Sequence, residues 1–134
     1  MSDSVDSVIQ KFNSLRWHDS KLRSVTVARA GGSEVVILDL ELWDENWILQ
    51  SSRLTLLECT YIRTELDLDS KRTCSDDISS ALCKASSELI DSLDRTNPYD
   101  SFTGYLHFHI RMIPFGGVID ILAKDFVLEP KSQP

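Results

Sequence analysis

Apolar and polar side chains alternate most regularly between residues 34 and 43. Val36, Leu38, Leu40 and Leu42 fall on one parity, and Ile37, Asp39, Glu41 and Trp43 on the other. A period of two marks a strand with one buried face. Residues 21–29 alternate in part, with Val25 and Val27 opposite Ser24 and Thr26. Gly31-Gly32 then supplies the positive φ angles of a tight connection, so the two segments read as a hairpin. Asp44-Glu45-Asn46 is a polar turn. Beyond it, Leu54 and Leu56 begin one extended stretch, and Ile62, Leu66 and Leu68 define another over 61–69, opposed by Arg63, Glu65, Asp67 and Asp69. Glu58-Cys59-Thr60 interrupts the alternation between them, as a bulge or bend would.

Two segments carry helical spacing. Val5, Val8, Ile9 and Phe12 predict a short amphipathic helix over 4–13, with Ser2 or Asp3 as its cap. Ile78, Leu82, Ala85, Leu89 and Leu93 form a stripe that predicts a longer helix over 77–94, begun at Ser75-Asp76-Asp77 and stopped by Asn97-Pro98. Two closing strands follow. Leu106, Phe108, Ile110 and Met112 alternate with His107, His109 and Arg111. Pro114 and Gly116-Gly117 turn the chain, and 118–128 is extended again, its phase shifting near Lys124-Asp125. With no alternating βαβ order, the expectation is an α+β fold: one curved antiparallel sheet of about six strands, the long helix packed on a face, and a short N-terminal helix. The expected organisation is a single domain over 1–134 with a loose tail at 130–134.

Composition narrows the classes. The 134 residues suffice for a core without staples, and 42% hydrophobic with 26% charged side chains argues against disorder. No apolar run approaches a membrane span, and the acidic start Met1-Ser2-Asp3-Ser4 lacks a signal pattern. Cys59, Cys74 and Cys83 are odd in number and lack C-x-x-C spacing, which reads as free thiols in a cytoplasmic protein. A net charge of −7 without a basic cluster argues against nucleic acid.

Candidate chemistry is sparse. No dinucleotide, phosphate, hydrolase or zincin motif occurs. His107 and His109, two apart in a strand, project from one face and could converge on a metal with His18, Asp19 or Asp120. The plainer expectation is that both rings face solvent without a third ligand, so no cofactor is expected. Ser20 beside His18 and Asp19 has the residue types of a triad, but a turn role fits such close neighbours better. The other candidate is a binding surface. Asp39, Glu41 and Trp43 share parity, and Asp44, Glu45 and Trp47 extend the set through the turn, a composition suited to a basic protein partner.

Leu15-Arg16-Trp17-His18-Asp19-Ser20-Lys21-Leu22, leading into a hairpin, resembles the opening of small bacterial families grouped with immunity proteins of polymorphic toxin systems. The strand Ile119-Asp120-Ile121-Leu122-Ala123-Lys124 resembles their closing strand. The resemblance implies an antiparallel domain that binds and neutralises a partner, with no catalytic residues to carry over. In it Trp17 would plug the core, while His18 and Asp19 would bond backbone groups where helix meets strand. Three readings follow: a non-enzymatic protein-binding module of the immunity type, a metal-binding protein or metal-dependent enzyme using His18, His107 and His109, or a homodimeric structural protein.

Overall fold

A computed structural model describes residues 4–30, 32–66, 77–97, 99, 101–112 and 117–131. The elements are α1 (Val5–Asn13), β1 (Arg16–Ala30), β2 (Ser33–Trp43), β3 (Leu49–Leu57), β4 (Tyr61–Leu66), β5 (Ile78–Lys84), α2 (Glu88–Thr96), β6 (Leu106–Met112), β7 (Gly117–Ala123) and β8 (Asp125–Pro130). They form two four-stranded antiparallel sheets. Sheet A has the order β1-β2-β3-β8, and sheet B the order β4-β7-β6-β5.

This corrects the expectation of one curved sheet of six strands under a long helix. Two local features split the sheet. The chain passes from sheet A to sheet B between β3 and β4, where Glu58 has φ 52°, and returns between β7 and β8 at Lys124. The two crossings lie side by side: Thr60 N–H donates to Leu122 O at 3.0 Å and Lys124 N–H to Leu57 O at 3.1 Å. The interruptions visible at Glu58-Cys59-Thr60 and Lys124-Asp125 are therefore changes of sheet.

The second correction concerns residues 77–94. Ile78–Lys84 is a strand, and helix begins only at Glu88, capped by Ser87, whose hydroxyl accepts from Ile90 N–H at 3.2 Å. A register shift between Ile78 and Ser80 lets Ile78, Ala81 and Cys83 face the core, whereas Leu82 is 44% exposed. The bulge creates a three-residue step, which periodicity alone reads as helical. The ends of β5 are also held from outside: Asp77 bridges to Lys21, and the Asn13 side chain both accepts from Cys83 N–H (2.8 Å) and donates to Cys83 O (3.2 Å).

Smaller corrections follow. Ser4 caps α1, while Ser2 and Asp3 lie outside the described residues. So do Gly31, Asp67, Leu68, Asp69, Cys74, Ser75, Asp76, Pro98, Pro114, Gly116 and 132–134. Pro130, the first residue of the expected tail, pairs with Ser52 at the edge of sheet A.

One core lies between the sheets. Leu38, Leu40, Leu54 and Leu56 reach it from sheet A, and Phe108, Ile110, Ile119 and Ile121 from sheet B. Phe12 of α1 closes one end, its ring 4.7 Å from Trp17, 5.0 Å from Phe108 and 5.5 Å from Phe126. Trp17 is buried and donates its indole N–H to Phe12 O at 2.9 Å. Among the described residues no helix is long and apolar enough to cross a membrane.

Candidate functional site

Parity places Asp39, Glu41 and Trp43 on the outer face of sheet A, opposite Leu38, Leu40 and Leu42. The two acids are committed to neighbours on that face. Asp39 accepts from Arg53 Nε at 3.1 Å and Ser24 Oγ at 2.9 Å, with Lys131 Nζ at 3.4 Å; Glu41 pairs with Arg23 at 2.8 Å. Burial alone would raise the Asp39 carboxyl, but the bonds from Arg53 and Ser24 outweigh it and hold it below the usual range. The face therefore carries alternating, internally neutralised charge. Asp44 is likewise occupied, accepting from Asn46 N (2.8 Å), Ile48 N (3.0 Å) and Gln50 Nε2 (3.1 Å). Glu45 is exposed.

That Asp44 network builds a rigid display. Trp47 sits at φ 59°, a conformation costly for a bulky residue. Trp47 is 63% exposed beside Ile48 at 56%. The Arg16 guanidinium lies 4.0 Å over the Trp47 ring and donates to Asp44 O at 3.0 Å, and Trp43 and Trp47 stand 6.3 Å apart. Below them opens a cleft of about 520 Å³ lined by Leu15, Trp17, His18, Trp43, Trp47 and Ala81. Asp19, which also lines it, is like Trp47 and Glu58 a non-glycine residue at positive φ, 64°. His18 is exposed there and bonds Ser79 O through Nδ1 at 3.1 Å; Ser20 is buried and donates to Arg16 O at 2.6 Å. Ser20 thus fastens the irregularity in β1 between Arg16 and Lys21, where a turn was expected, and His18 ties β1 to β5.

The remaining histidines meet elsewhere. His107 and His109 lie on the face of sheet B away from the core, and Asp120 of β7 stands directly across from His109. Asp120 Oδ1 lies 2.7 Å from both His107 Nε2 and His109 Nδ1, and Oδ2 accepts from Arg63 of β4 at 3.1 Å. An ionised carboxylate only accepts, so both facing ring nitrogens carry protons. His107 Nδ1 lies 2.8 Å from Ser87 Oγ, which ties the start of α2 to the sheet.

The expectation that both rings face solvent without a third ligand is overturned for His107, which is 6% exposed and has Asp120 beside it. His18 is not a member: among the described residues the close His/Asp group is His107, His109 and Asp120 alone. Burial pushes the His107 imidazole below its ordinary value against the pull of Asp120, leaving it neutral. Burial would raise Asp120, but bonds from His109, His107 and Arg63 hold its carboxyl low. A cavity of about 510 Å³ opens over the group, bordered by Arg63, Lys84, Ser87 and Glu88. Sequence reading did not single out Arg63 or Ser87. The available signal was Asp120 itself, an acid within the apolar strand Ile119–Ala123.

Thiolate chemistry recedes at Cys59 and Cys83, the cysteines among the described residues. Burial raises the Cys59 thiol to about 11 and the Cys83 thiol to about 12, so neither supplies a thiolate near neutrality. No protein-family model matches this chain, and neither a curated protein nor a solved structure does.

Proposed function

We propose that this chain is a protein-binding module of the immunity type that docks on its partner through the Trp43–Trp47 end of sheet A. The observation that carries the reading is the exposed pair Trp47 and Ile48 on a turn held rigid by Asp44 and Arg16. Aromatic side chains fixed before contact lose little entropy on binding and serve as interface anchors. The strained φ of Trp47 points the same way, because such strain persists only where the surroundings impose it. The acidic face plays a lesser part here than composition suggests, since Asp39 and Glu41 are already paired. The net charge of −7 still speeds encounter with a basic partner.

The test is affinity for a partner captured from the native host, measured for wild type and two variants that keep their fold. Trp47→Ala/Ile48→Ser should weaken binding by about 2 kcal/mol or more, roughly thirtyfold. Asp39→Lys/Glu41→Lys should mainly slow association and reduce its salt dependence. A partner held equally by wild type and the Trp47/Ile48 variant would overturn the docking surface. A small molecule turned over by the wild type, with no partner recovered, would overturn the binding reading as a whole.

A further inference from the structure

We propose that His107 Nε2, His109 Nδ1 and Asp120 Oδ1 form a three-ligand site for a divalent transition metal of the zinc class, with an open coordination position facing the cavity at the start of α2.

The geometry is that of a site closed on its protons. The three ligand atoms lie within 4.8 Å of one another, and both nitrogens already converge on one carboxylate oxygen at 2.7 Å. A tetrahedral ion about 2.0–2.1 Å from each donor places the donors about 3.3–3.4 Å apart, so each nitrogen must draw back from the carboxylate oxygen by about 0.6–0.7 Å. Side-chain rotation on neighbouring strands can supply that. Two imidazoles and one carboxylate suit zinc and its neighbours, whereas calcium and magnesium prefer oxygen alone.

The surroundings supply what such a site requires. Ser87 Oγ holds the far nitrogen of His107 at 2.8 Å and fixes the ring, as outer partners of metal-bound histidines do. The proton balance closes without loss from neutral rings. His107 moves its proton from Nε2 to Nδ1, where Ser87 Oγ accepts it, and His109 moves its own from Nδ1 to Nε2. His109 is half-buried and borders the cavity, so an ion has an entry path. Arg63 opposes the ion. Its guanidinium already neutralises Asp120 Oδ2 from 3.1 Å, so it lowers metal affinity without blocking the ligand oxygen.

The experiment uses the whole chain, stripped with chelator and titrated with Co²⁺ and Zn²⁺ alone. Cobalt should give a saturable visible d–d absorption at one ion per chain, displaced by zinc. His109→Ala should weaken binding at least tenfold while keeping the wild-type near-ultraviolet circular dichroism. Arg63→Gln should tighten binding several-fold, an effect that a purely structural network does not predict. Trp47→Ala should leave metal affinity unchanged, separating this site from the docking surface. The proposal falls if no saturable cobalt spectrum appears, if a thiolate charge-transfer band assigns the ion to cysteine, or if His109→Ala binds like wild type. Any of these returns the cluster to a proton-filled fastening between α2 and sheet B.

Discussion

Asp120 shows what a single buried carboxylate demands. It is 3% exposed, and Arg63, His107 and His109 all direct donors at it. Removing one partner of such a group typically costs several kcal/mol, because the charge left behind is desolvated and unpaired. Two acid-sensitive windows follow. His107 is held below its ordinary value of 6.5, so between its folded value and 6.5 the unfolded chain binds more protons than the folded one. Stability therefore falls as pH drops below about 6.5, by up to ~1.4 kcal/mol per pH unit. Asp120 has a depressed folded value, so its contribution is full above about 3.9 and is lost as pH falls through that folded value. Urea unfolding of wild type and His107→Gln from about pH 7.5 to 5 measures the first window. The expected result is a flatter profile in the variant; identical slopes would remove His107 as its source.

At the scale of elements, the passage from β5 to α2 is the most informative. Ser79-Ser80 favours neither state strongly, and pairing with β6 and the Asn13 bonds to Cys83 hold the segment extended. Helix resumes where Ser87 caps Ile90 N–H. The two states make opposite demands on Leu82. In a helix it would lie in the buried stripe with Ile78, whereas on β5 it points to solvent at 44% exposure beside Ile78 at 0%. Leu82→Thr should therefore change stability by about 0.5 kcal/mol or less, as surface substitutions do. Ile78→Ala should cost about 2–5 kcal/mol through lost burial and a residual cavity. Thermal or urea unfolding of the two variants gives the comparison, and a large loss in Leu82→Thr would contradict the strand.

Across the whole molecule, the two sheets share one core, and Phe12 touches Phe108 of sheet B and Phe126 of sheet A from a single ring position. Neither sheet has an apolar interior without the other. Leu40→Ala in sheet A and Phe108→Ala in sheet B, at 1% and 0% exposure, should each cost about 2–5 kcal/mol. Both should lower the midpoint of one transition seen alike by tryptophan fluorescence and far-ultraviolet circular dichroism. Two separated transitions in either variant would mean the sheets fold independently.

How much of this was legible depends on sequence distance. The alternation over 34–43, the helix at Val5–Asn13 and the breaks near Glu58 and Lys124 are encoded by neighbouring residues, since period and turn chemistry act within a few positions. From the sequence alone it was therefore settled which faces of these segments are apolar. Partnership across the chain was not settled there. That the breaks change sheets, that Arg53, Lys131 and Arg23 absorb the charge of Asp39 and Glu41, and that Arg63 meets Asp120 across 57 positions all depend on strand register. Register is set by the simultaneous fit of both sheets around Phe12 and Phe108. No local pattern contains that fit, so tertiary structure alone decided which polar residues form the cluster at Asp120 and which aromatic residues frame the cleft at Trp47.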